Sequence, residues 1–144
     1  MQMKQTLCAG IGAVGGYISM LMGGWDAAIV TLLLFMAVDY ASGLVVAGVF
    51  HASSKSEGGA LQSRAGFQGL CRKGMTLLFV LIACRLDMLL NIRYMRDAVI
   101  IGFSANELIS IVENAGLMGL PLPTVITQAV DILSRKAEGE NDHE

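Results

Sequence analysis

ANELISIVENAGLMGLPLP, residues Ala105 to Pro123, decides how the rest of the chain is read. It closes an apolar run long enough to cross a bilayer, yet it carries Asn106, Glu107, Ser110, Glu113 and Asn114. A charge at the centre of a membrane helix costs about 2.5–3.5 kcal/mol on insertion scales, so such residues belong on a side that meets protein or water. Asn106, Ser110, Glu113 and Asn114 recur at helical spacing and make one stripe, with Glu107 on its shoulder. Gly116, Gly119, Pro121 and Pro123 end the helix, because proline cannot continue it.

The composition supports a membrane setting. Of 144 residues, 54% are hydrophobic and 15% charged, and the mean hydropathy is +0.61. Soluble domains run closer to about 25% charged. A net charge of −2 gives no reason to expect a nucleic-acid partner. Cys8, Cys71 and Cys84 are far apart and form no CxxC, and neither His51 nor His143 stands with a nucleophile. No cofactor, metal site or catalytic set is therefore expected, and the chain is not read as an enzyme.

Working outward, the expected fold is all-α: an integral membrane protein with four transmembrane helices, at about 7–23, 27–50, 74–90 and 98–120. An amphipathic surface helix follows at about 124–136, and residues 137–144 make an acidic tail expected to be disordered. The whole of 1–136 reads as one domain. The first helix is the least apolar; if it stays outside the bilayer, three spans remain. Its small residues include Gly12, Gly16 and Ser19, and Gly12 and Gly16 match the GxxxG spacing for close helix approach. In the second span, Asp39 shares a face with Ser42, Gly43 and Ala47, which should be buried against a neighbour. Residues 51–73 read as the longest polar connection. Within it Arg64, Phe67, Arg72 and Lys73 are expected to meet lipid at the membrane surface. The third span holds Arg85 and Asp87, two apart and so on nearly opposite sides.

Basic residues set the orientation. With four spans, Lys4, Lys55, Arg64, Arg72, Lys73, Arg135 and Lys136 share one side, and Arg93 and Arg96 the other. Both termini are then cytoplasmic. Counting about 1.5 Å per residue from the outer end puts Arg85 at about 9 Å, Glu107 at about 14 Å, Asp39 at about 18–20 Å and Glu113 at about 22 Å. The count pairs Arg85 with Asn106 and Glu107 in an outer layer, and Asp39 with Glu113 and Asn114 in an inner one. Arg85 is then the lone base among four intramembrane acids. That imbalance favours a lumen shared by several copies over a sealed monomer.

Several pieces in register resemble a known family. Asp39-Tyr40-x-Ser42-Gly43, then Ser63 with Gly66-Phe67-x-Gly69-Leu70-x-Arg72-Lys73, then Asp87 stand in order. Asn106-Glu107-x-x-Ser110-Ile111-x-Glu113-Asn114 with Gly119-x-Pro121-x-Pro123 completes the set. Together they resemble the phage lysis and toxin-secretion holins, the small multi-span group that includes the clostridial toxin-release holin. The resemblance covers about Val38 to Lys136. It implies a phage-encoded protein of the bacterial cytoplasmic membrane that forms homo-oligomers and opens pores or lesions for an endolysin or a toxin, leading to host lysis. An antiholin is an implied partner. Two other readings remain: an antiholin-type regulator of the same architecture, and a small ion or solute transporter. Met3 stands two residues after Met1 and is read as incidental rather than as a second start.

Overall fold

In a computed structural model, residues 2–139 are described; all of their regular elements are helical. Helix α1 runs Gln2–Leu21 and α2 runs Ala27–Val45, prolonged by one π-helical turn, Val46–Phe50. A 3-10 turn at Glu57–Gly59 precedes α3, Ser63–Leu90. Helix α4 is Met95–Leu117 and α5 is Thr124–Glu138. Two helices, Ala27–Phe50 and Met95–Leu117, are long and apolar enough to cross a membrane.

Several boundaries differ from the sequence reading, among them α4, which runs Met95–Leu117 rather than about 98–120. Helix α3 begins at Ser63 rather than near residue 74, so the basic stretch through Lys73 is helical and not loop. The hydropathy of the chain rises only at Gly74, but backbone hydrogen bonding does not follow hydropathy. Helix α1 begins at Gln2 rather than near residue 7. Helix α5 takes in Ala137 and Glu138, and the remainder of the expected acidic tail, residues 140–144, lies outside the described residues.

Helix α4 is the centre, packing against α2, α3 and α5. The buried face of α2 is Ile29, Leu32, Met36 and Asp39, a helical spacing that presents three apolar residues and then one acid. Ile29, Leu32 and Met36 meet Met22, Val80 of α3 and Ile100 of α4 in the apolar core, flanked by Leu77, Leu81, Val99 and Phe103. The core occupies the half of the bundle nearest the α3–α4 turn; the acid begins the other half. Helix α1 buries none of its residues. Gly12 and Gly16 have open space where a side chain would be, so neither packs against another helix among the described residues.

The turn from α1 into α2 is fixed by Arg96. Its Nε donates to the Met22 carbonyl at 2.7 Å, and Nη1 donates to Asp26 Oδ2 at 2.7 Å and Asp97 Oδ1 at 3.1 Å. Gly23 holds a φ of +85°, and a Cβ there would sit 3.1 Å from Arg96 Nε. Glycine therefore meets both the backbone and the space requirement. Asp26 Oδ1 also accepts from the Ile29 amide at 3.0 Å, capping α2. The Arg96 guanidinium beside Asp26 holds its carboxyl below the usual aspartate range.

Candidate functional site: a buried ion-pair cluster and its cleft

Helices α2, α3 and α4 each send one charged side chain to a common point. Lys73 Nζ of α3 donates to Asp39 Oδ2 of α2 at 2.8 Å and also to Glu107 Oε2 of α4. Asp39 and Glu107 are buried, and the Lys73 side chain is 13% exposed. Asn114, one helical heptad beyond Glu107, donates from Nδ2 to Ser42 Oγ at 2.9 Å and to Asp39 Oδ1 at 3.3 Å. Ser42 Oγ in turn donates to the Asp39 carbonyl at 3.0 Å. Among the described residues no buried side-chain nitrogen or oxygen lacks a partner. A buried charge is tolerated when paired and hydrogen-bonded in this way.

Glycines lie at the helix contacts. Tyr40, next to Asp39, lies over Gly66 and Gly69 of α3: a Cβ on Gly66 would stand 3.5 Å from the Tyr40 hydroxyl. Gly43 likewise faces Asn114, whose Nδ2 is 3.8 Å from where its Cβ would be. The motif residues of three separate stretches are thus neighbours in space.

The connection from residue 51 to 62 folds back over this cluster. His51 takes a left-handed φ of 48°, and its Nδ1 lies 3.1 Å from the Ala47 carbonyl oxygen. The Ser53 amide donates to the Gly59 carbonyl at 3.0 Å, and a Cβ on Gly59 would collide with the His51 carbonyl. This places Lys55, whose Nζ donates to Ser110 Oγ at 3.2 Å and lies 3.9 Å from Asp39 Oδ1. Connection and helices together enclose a cleft of about 670 Å³.

The structure rearranges the sequence-based pairings. Asp39 and Asn114 meet, but Glu113 is exposed and pairs with no base among the described residues. Arg85 does not reach Glu107: it is exposed, and its Nη1 approaches only Met88 Sδ at 3.6 Å. Lys73 takes the place expected for Arg85, because α3 is already helical where a loop was expected. Lys73 is therefore not lipid-facing, whereas Arg64, Phe67 and Arg72 are exposed. Asp87 is no lumen residue within this chain. Its Oδ1 and Oδ2 accept from the Met95 and Arg96 amides at 3.0 and 2.9 Å, capping α4 from the helix before it. Asn106 is exposed, Ser110 half-buried, and Ala47 buried within the π-helical turn. The sequence reading missed Lys55, Tyr40 and the Arg96–Asp26 pair. Two left signals: Tyr40 lies inside the Asp39-Tyr40-x-Ser42-Gly43 motif, and Asp26 follows Gly-Gly-Trp at a helix start. Among the described residues no three His, Cys, Asp or Glu side chains converge to hold a metal ion.

These motif residues fall inside the region that matches a family model, the bacteriophage holin family, over residues 16–135. The chain belongs to the bacteriophage holin family. That is not an enzyme family. An uncharacterised protein of Listeria monocytogenes is 38% identical over 137 residues, covering 94% of this chain and 90% of its own. An uncharacterised 14.9 kDa protein encoded in the nagH 3′ region of Clostridium perfringens is 35% identical, covering 88% of this chain and 92% of its own. A protein of Bacillus phage phi105 named "Probable holin" is 28% identical over 112 residues, covering 77% of this chain and 74% of its own. No solved structure matches.

Proposed function

We propose that this holin-family chain works as a holin: it accumulates in the bacterial cytoplasmic membrane, self-associates, and opens a lesion through which an endolysin, or a toxin, leaves the cytoplasm. Family membership and the two membrane-length helices support the membrane role. The observation that carries the mechanism is the Lys73 bridge between Asp39 and Glu107. Three helices that could each bury a charge against lipid instead pair them, leaving one net negative charge that Lys55, 3.9 Å from Asp39, partly offsets. In a single copy this keeps the charges paired, which suits a protein that is harmless while it accumulates. Separating α3 from α2 and α4 would expose two carboxylates and an ammonium together, and such a surface can be hydrated. Lys73 supplies one base to the acidic layer, so the imbalance that favoured self-association is smaller than the sequence count implied, though the acids still outnumber it. The lumen-facing candidates become Asp39, Lys73, Asn106, Glu107, Ser110, Glu113 and Asn114.

The proposed topology has four spans with both termini cytoplasmic. With Lys73 counted inside the bundle, the cytoplasmic side still carries six basic residues to two. The C-terminal α5 packs against α4 on that side. A phage antiholin and membrane lipid are the other proposed partners.

The test is induction of the chain alone in bacteria beside a cytoplasmic endolysin. Abrupt growth arrest with release of the endolysin is expected. Slow toxicity with the endolysin retained would point to a transporter, and no arrest at all to an antiholin-type regulator. Glu107→Gln and Asp39→Asn are expected to shift the time of arrest; variants with unchanged timing would remove the cluster from the mechanism.

A further inference from the structure

The cleft over the ion-pair cluster has a charge pattern that the cluster does not use up. Three cations, Lys55, Arg72 and Lys73, and three anions, Asp39, Glu107 and Glu113, line it. Lys73 is engaged with Asp39 and Glu107, and Lys55 lies 3.9 Å from Asp39. Arg72 and Glu113 remain. Both are exposed, and neither side chain forms an ion pair among the described residues. Among those residues, the cleft thus presents one free cation and one free anion.

The rest of the lining has two characters. Ser53 and Ser54 of the folded-back connection supply hydroxyls to the lining, while the Ser56 hydroxyl donates to the Ala60 carbonyl at 2.6 Å. Leu44, Met75 and Phe79 supply an apolar side, and all three are also exposed on the outer surface of α2 and α3. The cleft therefore runs from a polar mouth to the apolar exterior of the bundle. Its volume of about 670 Å³ lies within the usual range for a small-molecule site.

We propose that this cleft binds one phospholipid with a zwitterionic headgroup. The phosphate lies on Arg72, whose planar fork suits phosphate, with hydroxyls of the serine-rich connection beside it. The headgroup ammonium faces Glu113, and an acyl chain follows Leu44, Met75 and Phe79. An anionic headgroup such as phosphatidylglycerol would satisfy Arg72 but bring neutral glycerol in place of the ammonium, leaving Glu113 without a counter-ion beside the phosphate. This differs from attraction of a basic flank to the membrane surface, which favours anionic lipid and follows total charge. The inference rests on the membrane placement of the chain but not on lesion formation.

The full chain, purified in mild detergent, is titrated with phosphatidylethanolamine, phosphatidylglycerol or soluble phosphoethanolamine, and bound species are counted by native mass spectrometry. One phosphatidylethanolamine per chain, saturable and preferred over phosphatidylglycerol, is expected, with phosphoethanolamine not retained. Arg72→Gln and Glu113→Gln should each weaken it about tenfold, the scale of one charge-assisted hydrogen bond. Glu113→Gln should also narrow the preference over phosphatidylglycerol, which a general loss of folding would not do. Arg93→Gln, exposed on the α3–α4 turn, should change nothing, and Leu44→Trp should block the acyl side. Phosphatidylglycerol binding as well as or better than phosphatidylethanolamine, or equal losses from Arg93→Gln, would reduce the effect to surface charge and overturn the site. Equal retention of phosphoethanolamine would overturn the lipid assignment, and absence of saturable binding would overturn both. Loss of lesion formation with lipid binding intact would count against the proposed function alone.

Discussion

Lys73 Nζ bonded to both Asp39 and Glu107 gives the cluster an asymmetry that mutation can read. Removing the lysine charge strands two buried carboxylates facing one another. Lys73→Met is therefore expected to cost about 3–5 kcal/mol, the scale for a buried pair broken on one side. Replacing all three charges by neutral near-isosteres, Lys73→Met with Asp39→Asn and Glu107→Gln, should recover most of that loss, because no unpaired charge remains. Thermal unfolding of the purified chain in detergent measures both; a triple variant no more stable than the single one would refute the ion-pair account. The Asp26–Arg96 pair behaves differently, because the Asp26 side chain is 49% exposed and its interaction is screened by solvent. Its carboxyl is depressed from 3.8 by the Arg96 guanidinium. The stability it gives is full above the unfolded value and is lost as pH falls through the lower folded value. A melting-temperature profile below pH 4 should therefore be shallower for Asp26→Asn than for the parent, with the two parallel above about pH 5.

At the scale of elements, the helices are legible in the sequence wherever hydropathy and backbone agree. Ala27–Phe50 reads at its observed limits because a Gly-Gly-Trp-Asp turn opens it and an apolar run fills it. The start of α3 does not, because Ser63 to Lys73 carries three basic residues and two glycines, which reads as a loop by composition. Those glycines lie at a helix contact: Gly66 and Gly69 face Tyr40 across the α2–α3 packing. With the helix begun too late, Lys73 falls outside the bilayer count and Arg85 is left as the lone base. Asp87 escapes for another reason. A capping residue usually stands next to the helix it caps, whereas Asp87 caps α4 from eight and nine residues upstream, across the turn. Asp87→Ala is expected to fray the first turn of α4 and cost about 1 kcal/mol, as other cap deletions do. Hydrogen exchange should then quicken at the Met95 and Arg96 amides while the Ile100 region stays protected. Uniform quickening along α4 would mean that Asp87 holds the whole bundle instead.

For the whole molecule, the chain has no buried residue in α1 and a paired polar cluster among α2, α3 and α4, so α1 is the element whose place depends most on the membrane. The sequence motifs point to the right three stretches without showing that they converge, since convergence depends on how α4 packs between α2 and α3. The three native cysteines can report the proposed topology and its change on lesion formation. Cys8 and Cys71 are exposed, on α1 and in the N-terminal part of α3, and Cys84 is buried beside the Arg96 clamp. Arg93→Cys adds a thiol to the exposed α3–α4 turn. Before arrest, a membrane-impermeant maleimide added to intact cells should label the thiol at position 93 and neither Cys8 nor Cys71. Permeabilised cells should label Cys8 and Cys71 as well, with Cys84 silent throughout. Labelling of Cys8 in intact cells would instead place the N-terminus outside and leave three spans. At the moment of growth arrest, the reagent should gain Cys71 in cells never permeabilised, because a lesion that passes an enzyme also passes a maleimide. Arrest without that gain would mean that the chain stops growth by a route other than an open lesion.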